Sequence, residues 1–116
     1  MPAVKHTLAP DLVRSSGPLA QLCREHAVSR LEAFGSATDG RFIAGRSDYD
    51  FIARFEALPG VSRGRQFLAF SEALEALLGR PVDVMTDHAI HNPYLRRAIE
   101  ESRVTVYERS AAEAPA

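Results

Sequence analysis

At 116 residues the chain falls short of one average domain, which excludes tandem enzymatic domains and leaves room for a single core. Its 46% hydrophobic and 25% charged residues are those of a globular chain, so disorder is excluded as its general state. A formal net charge of −1, from 14 cations and 15 anions, gives no overall attraction to polyanions, so neither stable nucleic-acid binding nor attachment to an anionic membrane is expected.

In chain order, Met1-Pro2-Ala3-Val4-Lys5-His6 leads into no apolar run, and charges interrupt every stretch long enough to span a bilayer. Ser16-Gly17-Pro18 then starts a helix whose Leu19, Leu22, Cys23 and His26 follow the i, i+3, i+4, i+7 spacing of one buried face. Cys23 is the sole cysteine, so it reads as a core residue with no intramolecular disulfide to form, and a cytoplasmic location is the expectation. His26, at the helix end, is expected to meet the last carbonyls. Val28 to Phe34 predicts a strand ending at Gly35-Ser36. Tyr49 to Phe55 predicts another, with Tyr49, Phe51, Ala53 and Phe55 opposite Asp50, Ile52 and Arg54. After the Pro59-Gly60 turn, Ser62 caps a helix that places Phe67, Phe70, Leu74, Leu77 and Leu78 on one face until Gly79 and Pro81 stop it. Val82 to Met85 predicts a short strand, Asn92-Pro93 a helix through Glu101, and Val104 to Tyr107 a closing strand. The expectation is an α/β (α+β) chain: one domain over residues 1–109 with a small mixed β-sheet covered by helices, and a flexible tail from Ser110 to Ala116.

The chemistry concentrates in Gly35-Ser36, followed after eleven residues by Asp48-Tyr49-Asp50, and then by Asp83 within Val82-Asp83-Val84-Met85. A strand repeats its side-chain direction every two residues, so Asp48 and Asp50 share a face and Tyr49 points away, into packing. An isolated Asp-x-Asp reads more readily as two solvated charges on the open face of a sheet. The third carboxylate shifts that balance, because Asp83 lies between Val82 and Val84 in an apolar segment, where an ionised group calls for a cation or a strong donor. Three converging carboxylates suit Mg²⁺, which takes oxygen ligands and bridges them to phosphates. Gly35 lets backbone approach an anion and Ser36 adds a donor. No Gly-x-x-x-x-Gly-Lys-Ser/Thr stretch exists, so the phosphates are not held by a P-loop. His88 and His91 beside Asp87 have a spacing compatible with a metal, but Pro93 makes two surface histidines the simpler reading. Arg makes up thirteen of the 14 cations, Lys5 being the exception.

Gly35-Ser36, Gly40, Ser47-Asp48-Tyr49-Asp50 and Val82-Asp83-Val84 resemble the minimal nucleotidyltransferases of the DNA polymerase β superfamily. The resemblance runs from about Val28 to Tyr107 and includes Asn92 to Glu101, which is similar to the family's closing helix. It implies the nucleotidyltransferase-like fold, with Asp48, Asp50 and Asp83 as catalytic residues and Mg²⁺ ligands. Gly35, Ser36 and Ser47 would be nucleotide-binding residues, and ATP the donor of AMP to a hydroxyl. Where family members often carry Arg or Tyr after the Gly-Ser pair, this chain has Ala37-Thr38-Asp39, with Arg41 and Arg46 as candidate replacement cations. The resemblance implies that stand-alone chains of this size are often antitoxins paired with a HEPN-domain RNase toxin, which some of them silence by adenylylating it, so that partner is expected, in a homo- or hetero-oligomer. Two other readings stand beside it: a non-catalytic nucleotide-binding antitoxin that acts by covering its partner, and a scaffold with solvated aspartates.

Overall fold

The computed structural model describes residues 9–35, 38, 48–86 and 90–109. Helix α1 (Pro10–Arg14) precedes α2 (Ser16–Glu25), strands β1 (Val28–Phe34) and β2 (Tyr49–Phe55), helix α3 (Arg63–Leu78), strand β3 (Val82–Met85), helix α4 (Pro93–Ser102) and strand β4 (Val104–Glu108). The four strands form one sheet in the order β3-β2-β1-β4. β1 is antiparallel to both β2 and β4, whereas β3 runs parallel to β2, reached by the α3 crossover. The sheet is therefore mixed, as the sequence predicts.

Each element stops where its local chemistry dictates. The Ser62 hydroxyl accepts from the Arg65 amide at the start of α3, satisfying an amide that has no helical partner. Gly79 ends that helix at φ 68°, a left-handed cap that a Cβ disfavours. The Asn92 side chain caps α4 by accepting from the amides of Tyr94 and Leu95, with Pro93 in the first turn.

Alternation along β1 and β2 divides the core between two faces. On one, Leu31, Ala33, Tyr49, Phe51 and Ala53 pack against Leu19 and Cys23 of α2 and Phe70 and Leu74 of α3. On the other, Phe34 and Ile52 pack against Ile90 and Ile99, so α4 covers that face only in part. The Gln66 side chain, 1% exposed, ties the first layer together by donating to the carbonyls of His26 and Glu56. His26 caps the end of α2, its amide donating to the Leu22 carbonyl at 3.0 Å, and its ring packs on Phe70 with centroids 5.7 Å apart. No helix among the described residues is long and apolar enough to cross a membrane.

Candidate active site

β1 ends and β2 begins at the same edge of the sheet, and the β1–β2 register sets Phe34 opposite Asp50. The parallel register of β2 with β3 sets Asp50 beside Asp83. Both carboxylates thus rise from neighbouring strands on the face that α4 only partly covers, next to the turn at Gly35. Gly35 has φ 71°, and a Cβ on it would stand 3.2 Å from Oδ2 of Asp50. Glycine is required there twice, by the backbone and by the carboxylate it faces.

Asp50 carries the strain of this arrangement. Burial, first, and then the charges of Asp83 and Asp48 push its carboxyl up to about 6, and a hydrogen bond shared with the Asp83 side chain adds to the rise. Two carboxyl groups this close cannot both ionise freely without a counter-charge. The donor set consists of crowded carboxylate oxygens, which fits a hard divalent cation.

The three aspartates are not equally placed. Asp48 is exposed and turned toward the Arg80 guanidinium, 3.6 Å away. Among the described residues, no three His, Cys, Asp or Glu side chains stand assembled as a metal cluster. The structure therefore unites Asp50 with Asp83 and leaves Asp48 within electrostatic range, held by a cation. Asp83 is not enclosed by its apolar segment, contrary to the expectation from the sequence. β3 is an edge strand of four residues and Asp83 is exposed, while Asp50, on an interior strand, is the half-buried carboxylate. The apolar neighbours Val82 and Val84 face the α3 layer and do not enclose the carboxylate between them.

Of the remaining candidates, Gly35 lies against the pair, whereas Ser36, Ser47, Asp39, Gly40, Arg41, Arg46, Asp87 and His88 fall outside the described residues. Tyr49 is fully buried and stacked with Phe51, the packing role expected of it. His91 is exposed.

Residues that the motif did not include complete the surroundings. Ser102, at the end of α4, accepts at its hydroxyl from the Gly35 amide, at 3.1 Å. Thr38 is fully buried and its hydroxyl reaches the Ser102 carbonyl at 2.6 Å. Next along the chain, Arg103 grips Glu32 through two guanidinium nitrogens and also holds Glu100. None of these pairings leaves a sequence signal, since each joins segments more than 60 residues apart or depends on the α4–β4 junction.

The family described as "Nucleotidyltransferase domain" matches residues 19–106. Two proteins of Methanocaldococcus jannaschii, each named by inference as a protein adenylyltransferase, are similar in sequence. One is 34% identical over 84 residues, 71% of this chain and 80% of the relative. The other is 31% identical over 85 residues, 73% of this chain and 83% of the relative. A solved structure described as a minimal nucleotidyltransferase, again by inference, superposes with a TM-score of 0.64 at 26% identity over 85% of this chain and 96% of that one. A chain of a toxin–antitoxin crystal structure with AMP-PNP gives 0.60 at 14% identity, covering 84% of this chain and 77% of that one, a likeness of fold alone. The same holds for a complex of tri-AMPylated Shewanella oneidensis HEPN toxin with MNT antitoxin, at 0.56 and 12% identity over 84% and 72% of the two chains. The family match takes in every described strand from β1 to β3 and the aspartates between them, and the chain belongs to the nucleotidyltransferase domain family.

Proposed function

We propose that this nucleotidyltransferase moves AMP from ATP, with Mg²⁺, to a hydroxyl of a partner protein, and that the partner is a HEPN-domain RNase toxin for which it serves as antitoxin. The observation that carries the reading is the Asp50–Asp83 pair, with Gly35 against Asp50 where β1 ends and β2 begins. Inferred protein adenylyltransferases among the relatives support AMP as the group moved and protein as the acceptor. Toxin–antitoxin complexes among the structural neighbours, one with AMP-PNP and one with an AMPylated HEPN toxin, support the partner and the donor.

In this reading Asp50 and Asp83 hold the cation and Asp48 joins them when Arg80 releases it. Mg²⁺, when bound, supplies the positive charge that offsets the triphosphate and the departing pyrophosphate. Gly35 offers close backbone approach to the phosphates, with the hydroxyls of Ser36 and Ser47 as further donors. The acceptor oxygen forms its bond to the α-phosphorus as the bond from that phosphorus to pyrophosphate breaks, and the acceptor's proton passes to the Asp83 carboxylate, the exposed member of the pair.

The position of the label tests this. The chain is incubated with Mg²⁺, a HEPN-domain protein as acceptor, and ATP labelled at either the α- or the γ-phosphate. Label entering the partner from the α-phosphate alone is the expected result. Entry from the γ-phosphate would make the chain a kinase, and entry from neither, with the toxin still neutralised, would favour the antitoxin that acts by binding alone.

A further inference from the structure

From the hydrogen bonds around Gly35 we infer that Thr38 and Ser102 are positioning residues for nucleotide binding, holding the Gly35 turn at a fixed distance from Asp50. The inference rests on the reading of Gly35 as the place where the phosphates approach.

Among the described residues, Gly35, Thr38, Ala98 and Ser102 form one connected set of hydrogen bonds. The Gly35 amide donates to the Ser102 hydroxyl at 3.1 Å, and that hydroxyl donates in turn to the Ala98 carbonyl at 3.0 Å. The Thr38 amide donates to the Gly35 carbonyl at 3.0 Å, closing the turn. The Thr38 hydroxyl lies 2.6 Å from the Ser102 carbonyl and 3.0 Å from the Gly35 carbonyl, so its single proton bridges the turn and the last residue of α4. Both the N–H and the C=O of Gly35 are thereby referred to α4, a helix anchored by Ile99 in the core. The other side of Gly35 is limited by Asp50, whose Oδ2 stands where a Cβ would be crowded. A turn fixed between a carboxylate and a helix end presents its phosphate-side groups without reordering on binding, and a site ordered in advance binds more tightly than one ordered by its ligand.

Glu32 and Arg103 supply the contrast. Their ion pair ties the same α4–β4 junction to β1 but touches no atom of the turn. Losing it should weaken the fold and leave the turn's geometry in place.

Binding of a fluorescent ATP analogue with Mg²⁺ needs no acceptor and reads the inference directly, with thermal midpoints recorded on the same samples. Native protein should bind. Ser102→Ala and Thr38→Val should bind about tenfold more weakly, the size of one lost hydrogen bond. Thr38→Ser, which keeps the hydroxyl, should stay within about twofold of native, and Glu32→Gln should lower the thermal midpoint without the loss of affinity. If Thr38→Val does not fold, Ser102→Ala carries the comparison, since its side chain lies at a helix end. Native-like binding by Ser102→Ala overturns the inference and leaves the proposed function standing. So does a loss of affinity that merely follows the thermal midpoint across all variants, Glu32→Gln included. Absence of binding by the native chain removes the reading of Gly35 and the inference together.

Discussion

Changing Asp50 to Asn keeps the side chain's size and removes a charge that burial and two neighbouring carboxylates oppose. In the absence of a cation, that charge is a cost to the fold, so Asp50→Asn should raise the thermal midpoint of the metal-free protein. Added Mg²⁺ should raise the midpoint of the native chain and do less for the variant. Gly35→Ala works in the opposite sense. It forces a Cβ onto a φ of 71° and toward Asp50, so urea unfolding should show a loss of about 1–2 kcal/mol. Cys23 gives a pH prediction. Burial pushes its thiol up to about 12 against the pull of Arg24, while the unfolded thiol titrates near 9.0. The folded chain then keeps a proton that the unfolded chain sheds, so this contribution to stability is complete below pH 9 and fades as the pH climbs toward 12. At pH 8, iodoacetamide should label Cys23 only after denaturant is added, and rapid labelling of native protein would contradict its place in the core.

Single elements meet at the α4–β4 junction, where the reach of the sequence ended. Arg103→Ala would strip Glu32, 4% exposed, of its bidentate partner and leave Arg30 as its remaining cation among the described residues. Removing one partner of so buried a pair should cost about 3 kcal/mol in urea unfolding. The hydrophobic periods were legible from residue types alone: β1, β2 and β3 lie where alternation and their bounding glycines put them, and α2, α3 and α4 follow their caps. Helix α1 left no trace because five residues, begun by Pro10, are too few to display a period. Strand parity put Asp48 and Asp50 on one face and the apolar flanks of Asp83 singled it out; the structure sets Asp50 beside Asp83, while Asp48 turns to Arg80. The division of labour among the three was not legible. Which carboxylate is buried depends on which strand lies at the edge, and strand order follows from the α3 crossover rather than from any local pattern. Arg80 on Asp48, Ser102 on Gly35 and Arg103 on Glu32 are likewise products of the assembled fold.

Taken whole, the molecule is a sheet with one face fully covered by α2 and α3 and the other covered by α4 only away from Asp50 and Asp83. Among the described residues, that asymmetry leaves Asp83 exposed and Asp50 half-buried on the less covered face. In the proposed function the pair performs chemistry on the acceptor and does not merely shape a binding surface. The most direct measurement is the intact mass of the HEPN-domain partner after incubation with ATP, Mg²⁺ and native, Asp50→Asn or Asp83→Asn protein, with complex formation followed in parallel. The account predicts AMP on the partner with native protein, a rate lower by at least two orders of magnitude with either variant, and complexes that still form. Full neutralisation of the partner by Asp50→Asn with no AMP attached would contradict it.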